Sequence, residues 1–337
     1  MKQLRFIYTE KNHKWGVVCR DPSRASYMID TNECIVIDGD EGLITDPGGM
    51  EIFPSVFSAI GSGFNPKNIK TIFSSHQDPD VISSLTLWLE LNPDLKCYIS
   101  RLWTTFVPHF GGDDKTLVGI PDEGTTLSVG TVKLKVVPAH YLHSSGNFHL
   151  YDSRAKIYFS GDVGAAILPE GADLYVKNFD EHIKSAIGFH KRWMGSNEAK
   201  DDWCKRASEL EIDMIIPQHG AIYQGKDVQR FINWFSELRV GLFTSAPDIS
   251  EAAVEDKSEK IATPADMADD SSEIIEIGGI PNVAAQTATP EIAETDHSDL
   301  EALMEDNARL KKKADQDTMQ KKNSFINKIK KFFSRKE

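Results

Sequence analysis

The chain contains five short polar segments that each begin or end at the edge of a candidate β-strand, and their spacing restricts the folds it can adopt. They comprise residues 45–49, 76–80, 139–143, 160–162 and 217–220. Four of them supply imidazole and carboxylate groups in a fixed order: His76, Asp78, Asp80, His143, Asp162 and His219. Together these side chains offer enough nitrogen and oxygen donors for two metal ions.

The composition predicts one large folded domain with additional segments. The 337 residues are 40% apolar, and the net charge of −13 argues against nonspecific nucleic-acid binding by the body of the protein. The cysteines, which are Cys19, Cys34, Cys97 and Cys204, form no close pair. They predict reduced thiols in a cytoplasmic protein rather than disulfides or a zinc–thiolate site. The N-terminus lacks a signal-peptide pattern, and no stretch approaches the roughly 20 apolar residues of a membrane span.

Residues 1–243 alternate between strand and helix patterns and form the predicted folded domain. Short apolar runs predict strands over residues 34–38, 42–45, 70–74, 96–100, 132–137, 148–151, 157–159 and 214–217. Helical patterns cover residues 51–60, 81–91, 189–210 and 227–242. The first two strands are joined by Asp38-Gly39-Asp40 as a hairpin. Mixed strands with outer helices indicate an α/β fold with two sheets sandwiched between helices.

The composition changes near Thr244. Residues 244–298 are rich in Ala, Ser, Thr, Pro, Asp and Glu, which predicts a disordered acidic linker. Residues 299–337 regain helical patterning and form the predicted tail. Near its end one helical face carries large apolar side chains and the rest is basic; the apolar residues are Phe325, Ile326, Ile329, Phe332 and Phe333. This pattern predicts a helix on an anionic membrane surface, a helix that docks a partner, or a frayed solvated helix.

The ligand types indicate the chemistry of the site. His76, Asp78 and Asp80 alternate in one tight loop, and the other three residues follow later strands. Imidazole and carboxylate without thiolate suit iron, manganese or zinc. Six ligands exceed the needs of one tetrahedral zinc, so a metal pair sharing a carboxylate uses them better. Each residue alone is more often a turn or cap residue, but that interpretation must account for the whole ordered set.

These segments resemble the metallo-β-lactamase superfamily, whose loop pattern is His-x-His-x-Asp-His. Asp78 departs from that pattern and is closer to the flavodiiron branch, which has His-x-Glu-x-Asp-His. The gap between His143 and Asp162 and the pair Leu142-His143 also match that branch. The sequences at residues 75–80, 190–194 and 217–221 resemble the oxygen-binding diiron protein (ODP) group. The resemblance covers about residues 1–243 and implies a metallo-β-lactamase-like αββα sandwich.

The resemblance also implies a ligand set. One iron would be held by His76, Asp78 and His143, the second by Asp80 and His219, and Asp162 would bridge them. The position of a further second-iron histidine is Val81, which cannot ligate and would leave an open position for O2. Further candidates around the ligands are His140, Tyr141, Asp46, Trp193 and Tyr223. This ligand set predicts two Fe ions. No segment after Leu242 resembles a phosphate-cradling loop, so no FMN is predicted.

The leading hypothesis is a cytoplasmic non-haem diiron protein that binds O2 as a sensor in chemotaxis or second-messenger signalling. The C-terminal tail would contact signalling proteins or the inner membrane surface. One alternative is a dinuclear zinc hydrolase of phosphoesters or thioesters, in which a metal-bound hydroxide attacks the substrate. Two further alternatives are an O2 or NO reductase that receives electrons from a separate flavoprotein, and a scaffold protein that retains the fold while its tail mediates interactions. Enzymatic turnover and oligomeric state stay open.

Overall fold

The computed structural model describes residues 3–18, 28–110, 115–169 and 171–241. The predicted acidic linker and helical tail lie outside these residues, as does Cys19. The remaining cysteines are buried and free of disulfides: Cys34, Cys97 and Cys204. No helix among the described residues is long and apolar enough to cross a membrane.

The first sheet has seven strands in sequential order. They are β1 (Leu4–Glu10), β2 (His13–Val18), β3 (Glu33–Asp38), β4 (Glu41–Thr45), β5 (Ile69–Phe73), β6 (Lys96–Ser100) and β7 (Leu117–Ile120). The strands from β1 to β4 pair antiparallel, which confirms the predicted β3–β4 hairpin. Those from β4 to β7 pair parallel, so β4, β5 and β6 end at the same edge.

The second sheet has six strands in the order β13-β12-β11-β10-β9-β8. They are β8 (Thr125–Val129), β9 (Val132–Pro138), β10 (Phe148–Asp152), β11 (Ile157–Phe159), β12 (Met214–Ile216) and β13 (Tyr223–Gln224). The strands β9, β11 and β12 run in one direction, because β10 is antiparallel to both β9 and β11 while β12 is parallel to β11. Their carboxyl ends therefore lie together.

Helices cover the outer faces of both sheets. They are α1 (Phe53–Gly61), α2 (Pro79–Ile82), α3 (Leu85–Leu91), α4 (Phe179–Trp193), α5 (Asn197–Ser208) and α6 (Lys226–Glu237). One buried cluster, which includes Trp15, Phe73 and Phe148, fills the space between the sheets. Another packs the second sheet against α4, α5 and α6 through side chains such as Trp203 and Phe231. The predicted αββα sandwich is confirmed.

The helix predicted over residues 189–210 is wrong, because two helices occupy this region. The first, α4, ends at Trp193, and Met194 adopts an extended conformation. Ser196 then begins α5 by accepting a hydrogen bond from the backbone N–H of Ala199. The helix predicted over residues 81–91 is likewise divided into α2 and α3. That predicted over residues 227–242 is shorter and ends at Glu237, while strands β1, β2, β7, β8 and β13 were not predicted.

A buried hydrogen bond between two side chains links the two sheets. The side chain of His13 on β2 and that of Asp152 at the end of β10 are both fully buried, with 2.6 Å between Nε2 and Oδ2. Asp152 also accepts hydrogen bonds from the indole of Trp15 and from the backbone N–H groups of Arg154 and Ala155. Burial opposes ionisation of Asp152, but these donors hold its pKa below the usual range.

We expect Asp152→Ala to lower the free energy of unfolding by about 3–5 kcal/mol, because it leaves several buried donors without an acceptor. Urea unfolding followed by circular dichroism measures the change. The matched control is Glu10→Ala, which removes an exposed partner of Arg154 and should change stability little. Equal losses in the two variants would contradict the role of the buried pair.

Candidate metal centre

Five strand ends bring four of the predicted ligands, together with Asp46, to one edge of the sandwich. Asp46 directly follows β4, and His76 comes three residues after β5. From the second sheet, His143 follows β9, while Asp162 and His219 each lie three residues beyond β11 and β12. Asp78 and Asp80 belong to the first turn of α2, as cap residue and second helical residue. The carboxyl ends of strands in α/β sheets commonly form such sites.

Three ligand atoms form a compact first set. Single nitrogen or oxygen atoms of His76, Asp78 and His143 lie within 4.8 Å of one another. Asp78 Oδ2 lies 3.6 Å from His76 Nε2 and 3.4 Å from His143 Nε2. Asp162 Oδ2 faces the same imidazoles, at 3.3 Å from His76 Nε2 and 2.7 Å from His143 Nε2. The Leu142–His143 peptide bond is cis.

A second set surrounds the other oxygen of Asp162. His219 Nε2 lies 3.3 Å from Asp162 Oδ1 and 3.4 Å from Asp80 Oδ2. The two oxygens of Asp162 therefore face different imidazoles: Oδ2 faces His76 and His143, and Oδ1 faces His219. This division is the geometry that a carboxylate shared by two cations requires.

The electrostatics of the site favour positive charge. Burial opposes protonation of His143, but its hydrogen bonds to Asp162 and Asp78 raise its pKa to about 10. His219 is buried as well, and Asp162 and Asp80 raise its pKa to about 9. The carboxylates thus hold protons on neighbouring imidazoles, and these are the protons that a bound metal displaces.

Buried oxygen atoms without donors concentrate around this site. Among the described residues, the buried amide oxygens without a hydrogen-bond partner are Asn32 Oδ1, Asn147 Oδ1 and Gln218 Oε1, and Asp162 Oδ1 has only the 3.3 Å contact from His219 Nε2. Asn32 binds the carbonyls of Pro217 and Gly220 on either side of His219, and Asn147 binds the carbonyl of Leu142. Buried acceptors normally have donors. Their excess here, together with imidazole and carboxylate ligands, fits a pair of metal ions such as iron.

Hydrogen bonds orient the imidazoles so that Nε2 faces the site. Ser75 donates its hydroxyl to Asp46 Oδ2 and its backbone N–H to Asp46 Oδ1, both at 2.6 Å. With its own proton so used, the Ser75 oxygen accepts from His76 Nδ1 at 2.9 Å. His219 Nδ1 donates to the carbonyl of Asp30 at 2.8 Å. Such bonds fix the tautomer of a metal-ligating histidine.

The other predicted residues differ in burial and in whether they contact a ligand. Trp193 packs edge-on against His143 with ring centroids 5.3 Å apart, and Phe189 stacks on Trp193. Val81 is fully buried and Tyr141 is exposed. His140 instead bonds the carbonyl of Asp122. Tyr223 lies in the core and donates to the carbonyl of Gly164.

Sequence reasoning missed the residues that act through hydrogen bonds. Ser75, Asn32 and Gln218 carry no motif of their own, although Ser75 and Gln218 are direct neighbours of predicted ligands. The ring of Phe189 lies 6.2 Å from that of His219, whereas the sequence predicts for Phe189 only the start of a helix. For Ser75 and Gln218 the available signals are adjacency to a ligand and their place in the segments 75–80 and 217–221 that resemble the ODP group, whereas Asn32 and Phe189 adjoin no predicted ligand.

Comparison with known proteins places the chain in a family. The family described as ODP family beta lactamase matches residues 29–220, which is more than half of the chain. The chain belongs to the ODP family, a group with the metallo-β-lactamase-like fold seen here. No curated protein sequence matches the chain significantly.

Two solved structures of an ODP resemble this chain at 38% identity. "Peroxy diiron species of chemotaxis sensor ODP" has a TM-score of 0.64, and the apo state of chemotaxis sensor ODP from T. denticola has 0.65. Each match covers 71% of this chain and 96% of the other. A flavo di-iron protein mutant from Thermotoga maritima is 23% identical, with a TM-score of 0.60 and coverage of 70% of this chain and 61% of that one. The last likeness shows the fold alone.

A buried histidine holds the loop that carries Asp162. His190 on α4 accepts a hydrogen bond at Nε2 from the backbone N–H of Gly164, and its Nδ1 donates to the carbonyl of Ala186. Burial lowers the pKa of His190 to about 4. The neutral imidazole is therefore the form that the fold requires.

Because the folded pKa of His190 lies below its unfolded value of about 6.5, the unfolded chain binds the extra proton between these values. His190 therefore contributes its full stability above pH 6.5, and up to about 3 kcal/mol is lost as the pH falls towards 4. We expect the unfolding free energy of His190→Gln, measured with urea, to fall less steeply over this range. Parallel pH curves for the variant and the unsubstituted protein would contradict this assignment.

Proposed function

We propose that this protein is a non-haem diiron protein that binds O2 and serves as an oxygen sensor in chemotaxis or a related signalling system. One observation carries the proposal: the two oxygens of Asp162 face separate sets of ligand atoms, as a bridging carboxylate does. The resemblance to a chemotaxis sensor ODP supports the same function.

The ligands divide between two ions. His76, Asp78 and His143 would hold the first iron, Asp80 and His219 would hold the second, and Asp162 would be shared between them. Two ferrous ions, when bound, supply the electrons that let O2 bind reversibly or be reduced. Compared with the superfamily pattern, Asp78 adds a carboxylate where zinc hydrolases have a neutral imidazole. Anionic oxygen ligands stabilise the ferric state of iron, which favours O2 chemistry over hydrolysis.

The residues around the ligands control access to the second iron. Val81 immediately follows Asp80, and its fully buried apolar side chain leaves this iron with fewer protein ligands than the first. Trp193 and Phe189 form an aromatic wall beside His143 and His219. The position that Val81 leaves without a protein ligand would be available to O2.

The C-terminal segments connect this site to signalling. In this proposal residues 1–243 are the sensor domain, residues 244–298 the acidic linker and residues 299–337 a tail that would bind a signalling partner or the inner membrane surface. At the end of the described chain, a side chain on Gly241 would lie 3.3 Å from the carbonyl of Gly195. Gly195 in turn bonds the carbonyl of Tyr141 and follows Trp193 closely.

Val81→His tests the open position. We expect the added imidazole to coordinate the second iron and to weaken O2 binding by about tenfold or more, since ligands to a metal change affinity on this scale. The measurement is the O2-dependent visible absorbance of iron-loaded, anaerobically reduced protein after mixing with O2.

The matched control is Val81→Leu, which enlarges the side chain without a donor atom and should bind O2 more nearly as the unsubstituted protein does. If the absorbance spectrum of the iron-loaded unsubstituted protein did not change when O2 is added, the proposed function would be overturned. Equal O2 binding by Val81→His and the unsubstituted protein would overturn the open position at the second iron.

A further inference from the structure

Gln218 joins the segments that form the second metal subsite. Its side-chain nitrogen donates to Asp80 Oδ2 at 3.1 Å. Its backbone N–H donates at 2.6 Å to the carbonyl of Gly161, the residue before Asp162. His219 follows it directly in the chain. Gln218 therefore contacts the side chain of Asp80 and is linked through the backbone to the positions next to Asp162 and His219.

The side-chain oxygen of Gln218 is buried without a partner. The residue is 1% exposed, and Oε1 has no hydrogen-bond donor. The amide orientation is determined by Asp80, because only the nitrogen can donate to a carboxylate. A buried amide oxygen is costly when unpaired, so it needs a donor or a cation.

Gln77 occupies the corresponding place at the first subsite. Its nitrogen donates to Asp78 Oδ1 at 2.9 Å, as that of Gln218 does to Asp80. Its oxygen, however, accepts from the hydroxyl of Ser144 at 2.7 Å. Both glutamines donate a hydrogen bond to an aspartate. Of the two, only Gln218 has a side-chain oxygen without a donor, and Gln218 lies at the second subsite, where Val81 supplies no ligand.

We propose that Gln218 is a further oxygen donor of the second metal subsite, with its amide nitrogen fixing Asp80 and its amide oxygen binding the metal ion. The inference rests on the proposed dinuclear site. A neutral amide oxygen is a hard ligand that iron accepts without adding charge to a site that already holds several carboxylates. It partly replaces the missing imidazole and still leaves coordination positions open for O2.

Anaerobic titration of the full chain with ferrous iron tests this role, with Mössbauer spectra to distinguish the two subsites. We expect Gln218→Leu to bind the first iron normally and the second about 10- to 100-fold more weakly. Gln218→Glu loses the hydrogen bond to Asp80 but keeps an oxygen donor, whose negative charge strengthens its contact with the metal, and should retain the second iron within about threefold. Gln77→Leu is the matched control and should weaken the iron at the first subsite instead.

Two results would overturn the inference: unchanged binding of both irons by Gln218→Leu, or loss of the second iron by Gln218→Glu as large as that in Gln218→Leu. Equal urea midpoints of the metal-free variants would exclude a general folding defect. Fewer than two irons in the unsubstituted protein would instead refute the proposed function, so the two failures are distinguishable.

Discussion

The repulsion among Asp78, Asp80 and Asp162 is the constraint on which the surrounding loops depend. These carboxylates contact the same small group of imidazoles in a largely buried pocket. Like charges so placed disfavour ionisation unless cations lie among them, and burial together with Asp162 and Asp78 raises the pKa of Asp80. Protonated imidazoles meet this need before a metal binds, and metal ions meet it better because one ion can contact several ligands. The loops therefore form a cation-binding site, and any sensing or catalytic role depends on the cations bound there.

Hydrogen bonds from residues behind the ligands hold the ligands in position around that site. Asp46 and Ser75 hold His76 from the first sheet, and Asn32 clamps the loop that carries His219 from the second. The ligands would otherwise move apart to relieve their repulsion. Groups behind metal ligands commonly tune affinity in this way. The same logic explains why amide side chains such as Gln218, which carry no charge, fill the spaces between the carboxylates.

Much of this arrangement could be predicted from the sequence, because the ligands stand at strand ends in an order shared with a known family. Asp80 was expected near a helix start and lies in the first turn of α2. The hydrogen bonds of Asn32 and Gln218 could not be predicted, since they join residues far apart in the chain and depend on how the two sheets pack. The break between α4 and α5 was missed because the capping role of Ser196 was overridden by a continuous helical pattern.

The central claim is that Asp162 bridges two iron ions. Metal analysis of the iron-loaded full chain by plasma mass spectrometry, for the unsubstituted protein and for Asp162→Ala, tests it most directly. The account predicts two irons per chain in the former and loss of both in the latter, because each subsite loses a ligand and the shared charge. Retention of two irons by Asp162→Ala would contradict the bridge.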